Sequence, residues 1–351
     1  MTHQSWTAAL AAVALALPAL GTLAAPGPCE RSGAPARNLV VESHMIGSDT
    51  PGVELYLRNK RPADVESFRP ERVLLFVHGA TYPAETAFDL SLDGFSWMDY
   101  IACRGFDVYL VDVRGYGRST RPPEMAQPAQ ANPPIAGTAV AVADVGAAVD
   151  WINRHRRIDR INLLGWSWGT TIMATYAAAN PERVGKLALY APLWLRTTPL
   201  PGTGPLGAYR TVTQEQAKKR WLNGVPADQQ ADLIPPGWFE AWAEATWATD
   251  PDSSKQDPAL LRAPNGVVQD LRDYWTAGRP YYDPAAITAS TLLILAEWDQ
   301  DTPLYMAQTL FPLFTHTASK RLVILGAGTH TVVMEKNRLQ LLREVQLFLE
   351  E

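Results

Sequence analysis

One stretch, residues 161–176 with the sequence I-N-L-L-G-W-S-W-G-T-T-I-M-A-T-Y, restricts the possible folds more than any other part of the chain. A short apolar run ends at Gly165, and apolar residues return after Gly169 at helical spacing. This pattern predicts a strand, a sharp turn and a helix. Ser167 lies within the turn, in a G-x-S-x-G pattern whose glycines allow the neighbouring strand and helix to approach closely.

The surroundings of Ser167 favour a nucleophile. A serine in such a turn is exposed at a helix N-terminus, where unpaired backbone N–H groups and the helix dipole stabilise developing negative charge. The alternative is a glycine-rich turn whose serine only caps the helix. We prefer the nucleophile because the motif requires a strand before it and a helix after it, and the sequence predicts both.

Elsewhere the chain alternates short apolar runs with helical segments. Eight runs are candidate strands: 39–42, 53–57, 73–77, 108–111, 161–164, 187–190, 292–296 and 322–325. The later runs are continuously apolar, as expected of parallel strands covered on both faces, and helical stretches such as 138–154 separate them. The sequence therefore predicts an α/β fold with a doubly wound, mostly parallel sheet of eight strands.

A long interruption divides this alternation. Residues 196–286 are rich in Pro, Gly and Trp and contain only short helical pieces, such as 214–222 and 238–246. We predict that they form an inserted, mainly helical cap over the carboxyl edge of the sheet, where open α/β folds bind ligands. The core would then comprise residues 26–195 and 287–351.

Residues 1–25 have the pattern of a secretory signal. An apolar core at 8–20 is followed by small residues that suit cleavage near Ala24, although Lys and Arg are missing before the core. The alternative is an ordinary N-terminal tail. The signal predicts a secreted or periplasmic protein with no integral membrane segment in the mature chain, because the apolar run is too short for a span.

Composition narrows the possible partners. The formal net charge is −5, and no basic cluster is dense enough for nucleic acid; the R-H-R-R run at 154–157 is typical of a solvated helix end. The two cysteines, Cys29 and Cys103, could form one disulfide or remain free thiols. Since neither C-x-x-C nor H-E-x-x-H spacing occurs, we predict no bound metal.

Four further motifs surround the serine motif in a recognisable order. They are F-V-H-G-A at 76–80, D-V-R-G-Y-G-R-S at 112–119, E-W-D-Q-D-T-P at 297–303 and G-A-G-T-H at 326–330. From about residue 38 to residue 351 the chain resembles the α/β-hydrolase fold family, in its serine hydrolase and esterase branch. The resemblance implies an oxyanion loop, a tight turn, an acid loop and a histidine loop at these four places.

His330 can also be identified by elimination among the six histidines. It alone follows a core strand through a glycine-containing loop to the carboxyl edge of the sheet, where it could accept the Ser167 proton. The alternative is a histidine that caps the following helix. The other five lie in the signal, beside an edge strand, before the oxyanion loop and at two helix ends: His3, His44, His78, His155 and His316.

Two carboxylates, Asp299 and Asp301, follow the seventh strand and could orient the histidine. The resemblance places the acid at Asp299, and we expect Asp301 to cap the next helix. The sixth strand runs into A-P-L-W at 191–194, which offers no carboxylate. Asp112 is expected to serve its own turn.

The resemblance also implies a mechanism. The backbone N–H groups of Ala80 and Trp168 would form the oxyanion hole, and Ser167, Asp299 and His330 would form a triad that needs no cofactor. The expected reaction is hydrolysis of a small-molecule carboxylic ester. An amidase or peptidase, a lactonase or a carbon–carbon bond hydrolase would use the same groups, and a non-catalytic binding protein would need none of them.

Aromatic residues are concentrated near the serine and in the predicted cap. We expect substrate contacts from Trp166, Trp194, Trp238 and Trp242. Such rings would form an apolar pocket that favours uncharged apolar or aromatic esters. The alternative is that most of them pack in the core, because Trp238 and Trp242 have the spacing of one helix face. The sequence leaves the oligomeric state open.

Overall fold

A computed structural model describes residues 1–2, 25–198 and 204–351, so that most of the expected signal lies outside the described residues. The strands of its main sheet are β1 (Leu39–Gly47), β2 (Glu54–Pro62), β3 (Val73–Val77), β4 (Asp107–Val111), β5 (Ile161–Trp166), β6 (Val184–Tyr190), β9 (Ser290–Ala296) and β10 (Lys320–Leu325). They lie in the order β1-β2-β4-β3-β5-β6-β9-β10. In this sheet β2 alone runs opposite to the other seven strands, and the predicted mostly parallel eight-stranded sheet is confirmed.

Helices cover both faces of the sheet. They are α1 (Pro28–Arg31), α2 (Ala84–Phe88), α3 (Trp97–Ala102), α4 (Thr138–Arg156), α5 (Trp168–Ala179), α6 (Gln214–Trp221), α7 (Gln230–Leu233), α8 (Trp238–Trp247), α9 (Gly266–Asp270), α10 (Leu304–Leu310) and α11 (Arg338–Glu350). On one face α4, α5 and α10 pack on the sheet, and on the other α3, α8 and α11 do. Within β3, Leu75 joins the first core and Phe76 the second. This burial on both faces explains why the central strands are continuously apolar.

The segment between β6 and β9 contains α6 to α9 and two short strands, β7 (Tyr209–Val212) and β8 (Leu261–Pro264). Helices α6 and α8 occur where the sequence predicted helical pieces. The antiparallel β7–β8 pair was not predicted. Each strand has only four residues, and the two are far apart in the sequence, so no hairpin signal precedes their pairing.

A disulfide joins Cys29 in α1 to Cys103 at the end of α3, with the two Cα atoms 5.3 Å apart. Of the two alternatives open from the sequence, the paired one is therefore observed. Throughout the described ranges, no helix has the length and apolarity needed to cross a bilayer.

Strand order determines where the candidate residues meet. The carboxyl ends of β3, β5, β9 and β10 lie at one edge of the sheet because these strands run parallel. The loops that follow them carry Ala80, Ser167, Asp299 and His330, respectively. The topology thus collects four distant parts of the sequence at one edge.

Candidate active site

Ser167 occupies the turn between β5 and α5 with φ 58° and ψ −120°, a backbone conformation that residues with a side chain rarely adopt. The glycines on either side make this turn possible. A Cβ on Gly165 would lie 2.2 Å from the carbonyl oxygen of Gly169, and a Cβ on Gly169 would lie 2.7 Å from that of Val77. The G-x-S-x-G pattern therefore reflects the close packing of β5, α5 and β3.

His330 and Asp299 are joined by a hydrogen bond. The Nδ1 of His330 lies 2.8 Å from Oδ2 of Asp299, whose side chain is buried. The same carboxylate accepts hydrogen bonds from the N–H groups of Asp301 and Thr302, at 2.9 and 2.8 Å, and from the Thr302 hydroxyl at 2.8 Å. These donors fix the carboxylate, which in turn directs Nε2 of His330 away from Asp299.

Asp301 has a different role from the one expected. Its Oδ2 accepts a 2.7 Å hydrogen bond from Nε of Arg220 and lies 4.0 Å from Nε2 of His330. The N-cap position of α10 is held by Pro303, so the prediction that Asp301 caps this helix is wrong. The sequence could not show this ion pair, because the arginine comes from α6.

Charges around His330 favour its protonated form. Burial lowers the pKa of the His330 imidazole, but Asp299 and Asp301 outweigh burial, so that the pKa lies above its ordinary value. An imidazole with a raised pKa is a stronger base when it is neutral. The same carboxylates would stabilise the imidazolium formed when His330 accepts a proton.

Ser167 and His330 line the same small cavity of about 20 Å³. Within the described residues, no hydrogen bond joins the Ser167 hydroxyl to His330. Such bonds are commonly long before a substrate is bound. Ala80, Trp166 and Arg220 also border this cavity, so the nucleophile, the base and the candidate oxyanion loop share one space.

Two aromatic side chains hold the histidine loop. The indole Nε1 of Trp166 and the hydroxyl of Tyr190 both donate to the carbonyl oxygen of His330, at 3.1 and 2.8 Å. Trp166 is 2% exposed and its ring stacks on Tyr190. Although Trp166 borders the small cavity, its main contacts support His330. Tyr190 was not predicted from the sequence, in which its one signal is the position at the end of β6.

The candidate oxyanion loop packs directly on the serine. A Cβ on Gly79 would lie 3.1 Å from Cβ of Ser167. The carbonyl oxygen of Ala80 accepts hydrogen bonds from Tyr116, at 2.8 Å, and from Arg210 in β7. Trp168 begins α5, so its N–H has no acceptor within the helix. Tyr116 and Arg210 thus position a loop whose sequence gave no indication of either contact.

His78 is a structural residue. Its Nε2 accepts a 3.0 Å hydrogen bond from the N–H of Val113, so Nδ1 carries the proton and donates to the Gly79 carbonyl oxygen at 2.7 Å. Burial lowers its pKa to about 4, which keeps the ring neutral. His78 is not a candidate base, since both of its ring nitrogens are already engaged.

Asp112 has the turn role that the sequence predicted. Its two carboxylate oxygens accept hydrogen bonds from the N–H groups of Arg118 and Ala84, at 3.1 and 2.8 Å. Burial raises its pKa to about 6. The residue joins its own turn to the segment that follows the oxyanion loop.

A family model for the α/β hydrolase fold matches residues 72–336, which is more than half of the chain. The chain belongs to the α/β-hydrolase fold family. A proline iminopeptidase from Xanthomonas citri is 29% identical over 130 residues, a match that spans 37% of this chain and 37% of that protein.

Solved structures with a similar fold include three hydrolases. An esterase from Exiguobacterium antarcticum has a TM-score of 0.56 at 16% identity, over 88% of this chain and 100% of that chain. A serine hydrolase involved in carbazole degradation has a TM-score of 0.58 at 14% identity, over 89% of this chain and 99% of that chain. An epoxide hydrolase from Vigna radiata has a TM-score of 0.57 at 12% identity, over 88% of this chain and 98% of that chain. At these identities the likeness concerns the fold alone.

Most of the tryptophans expected to contact substrate pack elsewhere in this α/β hydrolase. Trp242 is fully buried against Trp221 and Tyr82. Trp194 packs against a tyrosine and borders a separate cavity of about 650 Å³. Trp238 lies under the guanidinium of an arginine in α11. Of the four residues, only Trp166 borders the small cavity beside the serine.

A second cavity, of about 280 Å³, opens beside Ser167. Part of its lining is apolar and includes Leu193, Val267, Val268, Leu271 and Trp275. The same lining contains four charged residues, Arg196, Arg210, Arg220 and Asp301. The sequence led us to expect an apolar pocket throughout, but the lining of this cavity also contains charged groups. The expectation failed because the arginines come from separate segments, 196 after β6 and 210 and 220 in β7 and α6.

Proposed function

We propose that this chain is a serine hydrolase that cleaves an acyl bond through an acyl-enzyme, most simply a carboxylesterase. The observation that carries the proposal is the 2.8 Å hydrogen bond from His330 Nδ1 to buried Asp299, beside the cavity that His330 shares with Ser167. This bond sets the tautomer that leaves Nε2 free to accept a proton. The strained turn at Ser167 supports the same conclusion.

In the proposed reaction, Ser167 Oγ attacks the substrate carbonyl and His330 Nε2 takes its proton. The oxyanion accepts hydrogen bonds from the N–H groups of Ala80 and Trp168. His330 then protonates the leaving group. A water molecule, activated by the same histidine, releases the acid; the small cavity of about 20 Å³ has room for about one water. None of these steps requires a cofactor.

A second candidate is hydrolysis of a peptide or amide bond. The partial match to a proline iminopeptidase favours it, and the same triad and oxyanion hole would serve. Epoxide hydrolysis is not proposed despite the similar fold, because that branch uses an aspartate where this chain has Ser167. Rates on matched esters, lactones and proline amides would separate these activities.

A fluorophosphonate probe tests the proposal directly. We expect one label per chain, and Ser167→Ala should abolish labelling because the probe needs an activated serine. Ser319→Ala, which removes an exposed hydroxyl after α10, is the matched control and should label normally. Failure of the folded, unmodified protein to react would rule out the serine hydrolase.

Two further parts of the proposal concern organisation and location. We propose that residues 196–286 act as a cap, since they contribute Arg210, Arg220 and Val267 to the larger cavity beside Ser167. We also propose export to the periplasm or the exterior. The Cys29–Cys103 disulfide supports this location, because such bonds persist mainly in oxidising compartments.

A further inference from the structure

The larger cavity beside Ser167 has an excess of positive charge. Three arginines, Arg196, Arg210 and Arg220, border it together with one carboxylate, Asp301. Guanidinium groups stay protonated at any physiological pH, so these four side chains carry a net formal charge of +2. Because part of the cavity lining is apolar, water screens this charge less than it would at an open surface.

The positive charge of Arg220 is balanced by the carboxylate of Asp301. Its Nε donates to Asp301 at 2.7 Å. Burial alone would lower the pKa of its guanidinium, but Asp301 outweighs burial and the pKa is raised. The remaining two positive charges in the cavity are therefore those of Arg196 and Arg210.

Arg210 makes contacts with neutral oxygens. Its guanidinium donates to the carbonyl oxygens of Ala80 and Pro264 and to the Thr81 hydroxyl. Burial lowers its pKa from the ordinary value, as expected for a cation without a nearby carboxylate. Across the described ranges, no carboxylate lies within 4.0 Å of it. The charge of Arg210 is held in place but not neutralised.

Arg196 is the least engaged of the three. Its Nε is buried and has no hydrogen-bond partner in the described part of the chain. Among the described residues, the guanidinium donates one hydrogen bond, from Nη1 to the backbone carbonyl oxygen of Asp301 at 3.4 Å. A buried donor without a partner is unfavourable, and an anionic ligand would satisfy both the donor and the charge.

We propose that Arg196, together with Arg210, binds a carboxylate of the substrate, so that the hydrolase acts on acyl compounds that carry an anionic group in addition to the scissile bond. This inference rests on the proposed function and specifies its substrate class. It replaces the expectation from the sequence that uncharged esters are preferred.

The size and the lining of the cavity limit the rest of such a substrate. At about 280 Å³ it lies just below the range of pockets for drug-sized ligands, so the bound group is small. The apolar lining residues Val267, Leu271 and Trp275 suit a short aliphatic or aromatic spacer. We therefore expect a carboxylate separated from the ester by a few carbon atoms or by one ring.

Two isosteric substrate pairs test the proposal. Monoethyl adipate against ethyl 6-methylheptanoate places the charge on the acyl side, and 4-carboxyphenyl acetate against 4-isopropylphenyl acetate places it on the leaving group. The readout is the ratio of kcat/KM for the anionic to the neutral member, because a general loss of activity cancels in this ratio. For at least one pair we expect a ratio in favour of the anion that falls as ionic strength rises.

Variants of Arg196 show whether the preference for the anionic ester depends on this arginine. Arg196→Gln should lower the ratio by about 10-fold or more, as expected for a lost charge-assisted hydrogen bond, and Arg196→Lys should restore part of it. Arg160→Gln is the matched control, since Arg160 is exposed before β5 and pairs with Glu71. It should leave the ratio unchanged.

The possible failures are distinguishable. Ratios at or below one for both pairs, or a ratio that Arg196→Gln does not change, would overturn the carboxylate site while leaving the esterase intact. If neither member of either pair is hydrolysed, the proposed esterase activity is wrong.

In that case binding is measured by calorimetric titration of the Ser167→Ala protein with monoethyl adipate and with 4-carboxyphenyl acetate, with and without Arg196→Gln. Loss of binding of either ester on this substitution would support the site, and equal or absent binding of both would reject it.

Discussion

Asp299 accepts a 2.8 Å hydrogen bond from Nδ1 of His330 while its own oxygens are held by Asp301 and Thr302. A second carboxylate lies near the other ring nitrogen, because Oδ2 of Asp301 is 4.0 Å from Nε2. One imidazole thus has two acids near it in unequal positions. Of the two acids, Asp299 is the one that can set the tautomer, since it is hydrogen-bonded to Nδ1.

This difference predicts unequal effects for the same substitution. Asp299→Asn should lower kcat by about 10³- to 10⁴-fold, because an amide at this position favours the wrong histidine tautomer. Asp301→Asn, the matched control, should have a much smaller effect at a pH where His330 is neutral. Steady-state kinetics on a neutral ester gives both values. The reverse ranking would transfer the orienting role to Asp301.

The acid limb of the pH profile should report on the same pair of carboxylates. Burial lowers the pKa of His330, but Asp299 and Asp301 raise it by more than burial lowers it. The midpoint of the acid limb of kcat/KM should therefore lie above the ordinary histidine pKa of 6.5. Activity requires the neutral ring and should therefore increase as pH rises through this pKa. Asp301→Asn should move the limb to lower pH, since it removes one of the charges that stabilise the imidazolium.

Glu335 is the group most easily confused with His330 in such a profile. Burial raises its pKa to about 7, and it accepts hydrogen bonds from Thr329 and Thr331 on the histidine loop. Glu335→Gln therefore serves as the control for the pH experiment. If this variant shifts the acid limb and Asp301→Asn does not, the limb belongs to Glu335.

The turn at Ser167 should not tolerate a side chain at Gly165. A Cβ there would lie 2.2 Å from a backbone oxygen of Gly169, which cannot move without displacing α5. We expect Gly165→Ala to lower the free energy of unfolding by about 1–3 kcal/mol and to reduce activity strongly. Gly47→Ala is the control, because no atom lies within 4 Å of its added Cβ. Urea unfolding of both variants measures the difference, and equal stabilities would contradict the packing argument.

Local patterns were sufficient to predict the sheet. Each of the eight strands contains a continuous or alternating apolar run, and burial between two helical layers produces such runs directly. The second half of β2, with the sequence R-N-K-R-P, has no such run and was not predicted as strand. The turn at Ser167 was equally predictable, since the close approach of β5 to α5 requires glycines at fixed positions. Asp299 was chosen over Asp301 from the resemblance, and the structure places Asp299 against Nδ1 of His330.

Contacts between distant segments were not predictable. The lining of the larger cavity combines Arg196, Arg210 and Arg220, and no local pattern relates an arginine after β6 to arginines in β7 and α6. For the same reason, the sequence could not show which tryptophans face a ligand. An aromatic ring has the same helical spacing whether it faces a ligand or a core, and Trp242 faces the core.

If the protein is exported, its mature chain should lack the N-terminal signal. The apolar core at 8–20 and the small residues near Ala24 predict cleavage there. Mass spectrometry of the protein recovered from the periplasm or medium of its native source should find a chain that starts near Ala25. Replacing Ala24 with a bulky residue should slow the cleavage. Recovery of a chain that begins at Met1 would refute the signal.

The Cys29–Cys103 disulfide should stabilise the mature fold substantially. It closes a loop with a sequence separation of 74 residues and ties α1 to the end of α3. A loop of this length restricts the unfolded chain, and the chain-entropy model assigns about 4 kcal/mol to the restriction. Reduction should therefore lower the urea midpoint of the native protein by a corresponding amount.

The double variant Cys29→Ser with Cys103→Ser separates loss of the bond from other effects of the reductant. Without reductant, it should unfold at the midpoint of the reduced native protein, and added reductant should not shift it further. Its steeper dependence of unfolding free energy on urea would show that the unfolded chain has become more extended. Equal midpoints for the oxidised native protein and the double variant would show that the bond contributes little, and that packing of α1 against α3 suffices to hold this end of the chain.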